Sequence, residues 1–353
     1  MSRYDLSRDE LTEVLGAEPA YRTAQLYGGL YERLATPAEL TELPQGLRQR
    51  LEHDERLQPA LSVLDRREAD GGKTTKWLFE LKDHKVIETV LMHHPRHSTV
   101  CVSSQAGCAM ACQFCATGDG GFSRHLTVGE IVEQVVLAAR AAQADERRLD
   151  HVVFMGMGEP LANFARVWSA VERIIDDLGF AQRHLTLSTV GVIPGIRALA
   201  AKSRQVNLAV SLHAANDELR DRLVPLNRRY PLEQLLAACS DYVQATRRRI
   251  SFEWAVMDHV NDTARDAGEL APMARALGAH VNLIPMNPTL GGTERGLRGS
   301  PPARVRAFRD ELLARGVNVT VRQTRGREID AACGQLAGSA ALASPTSRRD
   351  FAP

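Results

Sequence analysis

Three cysteines, Cys108, Cys112 and Cys115, stand in a C-x3-C-x2-C spacing within one short stretch, Cys108-Ala-Met-Ala-Cys112-Gln-Phe-Cys115. Thiolates are soft ligands, and three on one loop can cap three corners of a cubane iron–sulfur cluster. Four protein ligands would close such a site. Three leave one iron open to a substrate or cofactor. A structural zinc site and three buried thiols are the other readings. Zinc needs a fourth ligand, and its motifs usually pair one C-x2-C with a second. No second pair exists in this chain, so the cluster is the favoured reading.

Three more cysteines complete the set. Cys101 lies just ahead of the loop. Cys239, in Leu235-Leu-Ala-Ala-Cys239, fits the buried face of a helix and reads as inert. Cys333 lies in a small-residue, glycine-containing segment that follows Arg322, Arg325 and Arg327. Between Arg295 and Arg327 nine arginines face two acids. Such a stretch can hold phosphates, although a solvated basic helix over Pro302 to Arg315 explains part of it.

The elements that must position these residues are legible from periodicity. From about residue 98, β-rich runs alternate with helical ones. The expected strands are Ser98–Val102, His151–Met155, His184–Ser188, Val206–Ser211, Ser251–Val256 and Val281–Pro285, with Val317–Val321 following. The clearest intervening helix starts at Thr127-Val-Gly-Glu130, a capping box ahead of an apolar face. Six β/α units of this kind make an α/β fold, an incomplete (β/α)6 TIM-type barrel. A doubly wound sheet is the alternative. In barrels the chemistry sits at the C-terminal strand ends, and polar or glycine residues recur there. Gly156-Met-Gly158-Glu159-Pro160 follows the second strand and Ser188-Thr189 ends the third. Ser211-Leu212-His213 ends the fourth, and Met286-Asn287-Pro288 follows the sixth. His213 on its own reads equally as a core histidine.

Upstream, residues 1–60 read as helical, with a capping box at Ser7-Arg-Asp-Glu10, and 61–93 as a small β segment. There Glu88, in Val86-Ile-Glu-Thr-Val-Leu-Met92, looks on composition like a solvated strand residue. The core is expected over 94–335 and a flexible tail over 336–353. Thr289–Ser300 reads as a flexible insert. The net charge of +1 does not itself announce nucleic acid. No run of about 18 apolar residues is present to span a membrane, and the first residues lack an apolar signal core. A cytoplasmic location is expected, where six cysteines mean metal or redox chemistry and not disulfide scaffolding.

The motifs taken together resemble the RlmN/Cfr family of radical SAM RNA methyltransferases. They are Cys108–Cys115, Gly-Met-Gly-Glu-Pro at 156–160, Leu-Ser-Thr at 187–189, Ser-Leu-His-Ala at 211–214, Asn-Leu-Ile-Pro-x-Asn-Pro at 282–288 and Asp-Ala-Ala-Cys-Gly-Gln-Leu-Ala at 330–337. Asp-Gly-Gly-Lys-Thr-Thr-Lys-Trp at 70–77 and Cys-Val-Ser-Ser-Gln-Ala-Gly-Cys at 101–108 match as well. The resemblance implies one 4Fe-4S cluster on Cys108, Cys112 and Cys115, and S-adenosylmethionine (SAM) held by Gly158, Glu159, Ser188, Ser211, Leu212, His213 and Asn287. It implies that Cys333 receives a methyl group from one SAM. A radical from a second SAM then activates that methyl for addition to an adenine ring carbon. Cys101 would release the product by attacking the Cys333 sulfur, and Glu88 would accept a proton. The implied partners are 23S rRNA, tRNA and an electron donor such as flavodoxin, for a monomer away from membranes. Of the two subtypes, methylating carbon 2 or carbon 8, the chain looks more like the carbon-2 type.

Overall fold

The computed structural model describes residues 2–336; the expected tail lies outside them but for Leu336. Twelve strands are described: β1 (Leu61–Ala69), β2 (Thr74–Leu81), β3 (Val86–His93), β4 (Ser98–Cys101), β5 (Gln105–Gly107), β6 (Phe122–His125), β7 (His151–Phe154), β8 (Leu185–Thr189), β9 (Asn207–Ser211), β10 (Ser251–Val256), β11 (His280–Pro285) and β12 (Asn318–Val321). Ten of them form one sheet in the order β1-β2-β3-β4-β7-β8-β9-β10-β11-β12, and β5 pairs with β6 in a separate hairpin. Strands β1 to β4 pair antiparallel, whereas β4 and β7 onward pair parallel.

The strand order runs without reversal, which decides between the two expected architectures. A doubly wound sheet reverses direction at a switch point. A monotonic order with right-handed crossovers puts every connecting helix on one face, so the other face turns inward as part of a barrel. Burial follows that division. Leu187, Val210, Trp254 and Leu283 face the helices and are fully buried. Ser188, Ser211, Glu253, Ile284 and Arg322 have the opposite parity and line a cavity on the inner side. In the small β segment, β3 pairs with β4 and carries β1 to β3 onto the edge of the core sheet.

The helices begin where their caps stand. Ser7 opens the helix Arg8–Leu15 and Thr127 opens Val128–Ala144, each with a complete capping box. The N-terminal helices dock on the barrel's outer helices. Arg173 donates to Tyr4 O at 2.8 Å, Leu6 O at 2.6 Å and the Tyr31 hydroxyl at 2.9 Å. Apolar residues from Tyr4 to Leu336 belong to one continuous core.

One buried carboxyl in that docking region sets a pH dependence. Glu133, on the helix Val128–Ala144, accepts from Ala60 N at 2.6 Å, and burial pushes it up to about 7. The unfolded chain releases this proton near 4.5, whereas the fold retains it, so stability falls as pH rises from about 4.5 to 7. The substitution Glu133→Gln is expected to flatten that slope and to stabilise the protein at pH 8 by roughly 1–3 kcal/mol. Urea unfolding at pH 5 and pH 8 measures this. Identical curves for variant and parent at both values would mean that the folded carboxyl is already charged.

Residues 322–336 leave β12 and cross the barrel mouth to β1–β3, bridging the two edges of the sheet. Gly326 N donates to Asp70 Oδ2 at 3.0 Å, Arg325 Nη1 to His93 O at 3.1 Å, and Lys76 Nζ to Asp330 O at 3.2 Å. This strap carries Cys333.

Candidate active site

The cysteine loop hangs between β5 and β6. Cys108 N donates to Gly121 O at 2.7 Å and Cys115 N to Cys112 O at 3.1 Å, which folds the loop back on itself. All three sulfurs are free thiols and their residues line one cavity at the C-terminal strand ends. Burial pushes Cys108 up to about 12 and raises Cys112 and Cys115 as well. Thiolates in such surroundings need a cationic partner. Among the described residues no three Cys, His, Asp or Glu side chains close on a single metal ion. A cubane asks for a different arrangement, one sulfur to each of three irons, and Cys108, Cys112 and Cys115 line one cavity, as that arrangement requires.

The adjoining wall comes from the strand ends. A Cβ at Gly156 would sit 2.6 Å from Val102 O, so only glycine lets β7's exit lie against that of β4. Gly158 has φ +103°, a conformation that side-chain-bearing residues avoid. The turn aims Glu159 inward. Its Oε1 accepts from Leu161 N at 3.0 Å and Oε2 from Val190 N at 2.9 Å. Burial nevertheless pushes this carboxyl up to about 7, against the lowering effect of those N–H groups. An ammonium arriving from a ligand would supply the opposite charge that the carboxylate lacks.

Gly158, Glu159, Ser188, Ser211, His213 and Asn287 all line this cavity together with the three cysteines. His213 lines the cavity and is also held by the surrounding fold. Ala255 N donates to its Nδ1 at 3.0 Å, and burial holds the ring neutral, at about 3. The proton then resides on Nε2, and the ring packs edge-on against Phe114. Leu212 stands between Ser211 and His213 with its side chain turned from the cavity. Its side chain is fully buried in the core and lines no part of this cavity, because neighbouring strand residues point to opposite faces. Asn287 commits its amide to the strap: Nδ2 donates to Cys333 O at 3.2 Å and Oδ1 accepts from Arg327 Nε at 3.1 Å.

The strap is fastened directly to the cysteine loop. Ala116 N donates to Gly334 O at 2.8 Å and Thr117 Oγ1 to Leu336 O at 2.5 Å. Cys333 therefore lines the cysteine-loop cavity, and it also lines a neighbouring cavity shared with Cys101. Arg322 borders both cavities. Its guanidinium is held charged, first by the Cys333 sulfur and more weakly by Glu253 and Cys101. Burial and the nearby Cys333 push Cys101 up to about 12.

Glu88 corrects a compositional expectation. It is fully buried, and its carboxylate lies 3.4 Å from Lys76 Nζ, the group that also holds Asp330 O of the strap. Val90, two residues on, pairs with Cys101, so Glu88 faces the same side of the sheet as that cysteine. The insert Thr289–Ser300 is likewise ordered. Thr289 caps a short helix, Leu290–Glu294, and Arg295 pairs with Asp119 of the cysteine loop at 2.5 Å. Sequence reading passed over Phe114, Met155 and Glu253 as cavity residues. For Glu253 a signal was present, since an acid inside Ser251-Phe-Glu-Trp-Ala-Val has the inward parity of a strand end.

Comparison with known proteins gives a consistent picture. The Radical SAM superfamily model matches residues 102–271. A Frankia alni protein named "Probable dual-specificity RNA methyltransferase RlmN" is 49% identical, over 96% of this chain and 83% of its own length. The Myxococcus xanthus protein "Dual-specificity RNA methyltransferase RlmN 1" is 48% identical over 94% of this chain and 93% of its own. A crystal structure of a radical SAM methyltransferase from Sphaerobacter thermophilus superposes with a TM-score of 0.90 at 47% identity, covering 95% of this chain and 99% of that one.

Proposed function

The chain belongs to the RlmN family of radical SAM RNA methyltransferases, and from that premise we propose that it methylates carbon 2 of an adenine in 23S rRNA and in tRNA through a methyl group carried on Cys333. One observation carries the cysteine assignment. Cys333 stands on a strap hydrogen-bonded to the cysteine loop, at the junction of that loop's cavity and the one containing Cys101.

Cys108, Cys112 and Cys115 would hold the 4Fe-4S cluster, and Glu159, Ser188, Ser211 and His213 would surround SAM beside it. When bound, cluster and SAM together supply the hydrogen-atom abstraction that an unactivated methyl group requires. The remaining work falls to the chain. The Cys333 thiolate takes a methyl from SAM by in-line displacement, its new S–C bond forming as the sulfonium S–C bond breaks. The electron pair of the broken bond stays on the departing thioether. The strap then presents that carbon at the mouth, where an unstacked adenine can reach it. Joining carbon and ring leaves one electron over, which the oxidised cluster would take back; the Cys101 thiolate then attacks the Cys333 sulfur. The S–S bond forms and the S–C bond breaks, leaving its electron pair on the product carbon, which picks up a proton to become the methyl. Glu88 is our candidate to take up the proton displaced from the ring. Its place on the Cys101 face of β3, linked through Lys76 to the strap, supports that role.

Our reading also includes a monomer working in the cytoplasm with a flavodoxin-type electron donor. No helix among the described residues is long and apolar enough to cross a membrane. Nucleoside mass spectrometry of RNA treated with reduced enzyme and SAM tests the activity. 2-Methyladenosine is expected, whereas 8-methyladenosine or unmodified adenosine would overturn it. The substitution Cys101→Ala should stall the reaction after carbon–carbon bond formation. RNA-linked protein would then accumulate as a slow band on denaturing gels. Free methylated RNA at the parent rate would dismiss Cys101 as the resolving thiol.

A further inference from the structure

We propose that a basic groove beside the barrel mouth grips the RNA chiefly by its phosphates, so that one active site can accept two differently folded RNAs. The proposal rests on the RNA methyltransferase reading above. The groove has a volume of about 1300 Å3 and lies between the β1–β2 turn, the start of the helix Pro302–Ala314 and the strap. Lys73, Arg298, Arg306, Arg309, Arg325 and Arg327 line it, against a single carboxylate, Asp70. That carboxylate is engaged within the protein, accepting from Gly326 N at 3.0 Å and from Thr74 Oγ1 at 2.5 Å.

A basic surface helix is ordinarily a solvated one, and several arginines of this chain are tied up in ion pairs. Arg304 pairs with Asp262, Arg315 with Glu311, Arg140 with Glu39, and Arg124 with both Asp83 and Glu130. What distinguishes the groove is that its cations are gathered around one concavity with a single carboxylate. The side chains of Lys73, Arg298 and Arg306 are exposed and have no ion pair or hydrogen bond among the described residues. Arg309 leans only on its neighbour Asp310. Like charges gathered in a concavity repel one another unless a polyanion lies between them. The groove also leads to the chemistry, because Met286 and Arg322 line both it and the cysteine-loop cavity. A strand laid along the cations would run towards Cys333. Phosphate contacts fix register and orientation without carrying sequence information, which suits an enzyme with more than one RNA substrate.

The test is the triple substitution R298Q/R306Q/R309Q in the full-length enzyme. Binding is followed by anisotropy with a labelled 23S rRNA hairpin and a labelled tRNA, each over a range of salt concentrations. Both affinities should fall at least tenfold, and the slope of log affinity against log salt should drop by about 2, at roughly 0.7 per single-strand phosphate contact. Iron content and melting temperature should stay at parent values, which separates loss of grip from loss of fold. Unchanged affinities and slopes overturn the proposal. A loss confined to one RNA also overturns it, because the groove would then be reading a particular structure. A parent enzyme that binds both RNAs through these arginines yet methylates neither upholds the grip and sinks the functional reading instead.

Discussion

Cys333→Ala is expected to lower RNA methylation by roughly 10^4-fold or more, the order of loss seen when a covalent nucleophile is removed. SAM cleavage under reducing conditions should continue. The reason is positional. The strap reaches the cysteine-loop cavity through the Ala116–Gly334 hydrogen bond, but its sulfur is no part of the C-x3-C-x2-C set. Removing the sulfur would take away the proposed methyl acceptor and leave the three loop cysteines untouched. Chromatography of 5′-deoxyadenosine beside nucleoside mass spectrometry reads both halves of the expectation. Normal methylation by the alanine variant would end the methyl-cysteine scheme. Simultaneous loss of SAM cleavage would mean that Cys333 supports the cofactor site and is not a carrier.

Cys112→Ala should have a still broader effect, abolishing iron binding and SAM cleavage together. Cys112 is almost wholly buried, and its thiol is raised well above its ordinary value by burial and by Cys115 and Cys108. Such a sulfur becomes a thiolate only with a metal beside it. The parent protein should carry about four irons per chain and the variant almost none. Cys239→Ala is the matched control. That thiol is also fully buried, but it sits on the helix Leu232–Thr246 and lines no part of the cysteine-loop cavity. It should retain its iron. Equal iron in the Cys112 variant and the parent would dismiss the loop as the cluster's holder.

Much of this site is legible in the sequence. Alternation in the β-rich runs located each core strand to within about two residues, because inward and outward positions of a barrel strand differ in polarity. The failures share one cause, which is that composition does not say what covers a surface. Glu88 read as solvated because a polar residue in an apolar run usually faces water. Here Thr89 bonds to Gln134 of a core helix on one side, while Lys76 ties the other side to the strap. The Gly-rich stretch Thr289–Ser300 read as loose because the ion pair that anchors it, Arg295 with Asp119, joins residues far apart in the chain.

What the sequence determined alone is the chemistry available at each point along the chain. Three thiols within eight residues must be close together in any fold, and glycines or small polar residues after each strand must lie at one rim once those strands run parallel. Only the tertiary structure decided that Cys333 and Cys101 share a cavity. Their meeting depends on the monotonic strand order, which leaves the sheet with two separate edges, and on the strap that crosses between them. That crossing satisfies backbone groups and covers apolar surface at the open mouth, and such a long-range requirement leaves no periodic trace in the residues that meet it.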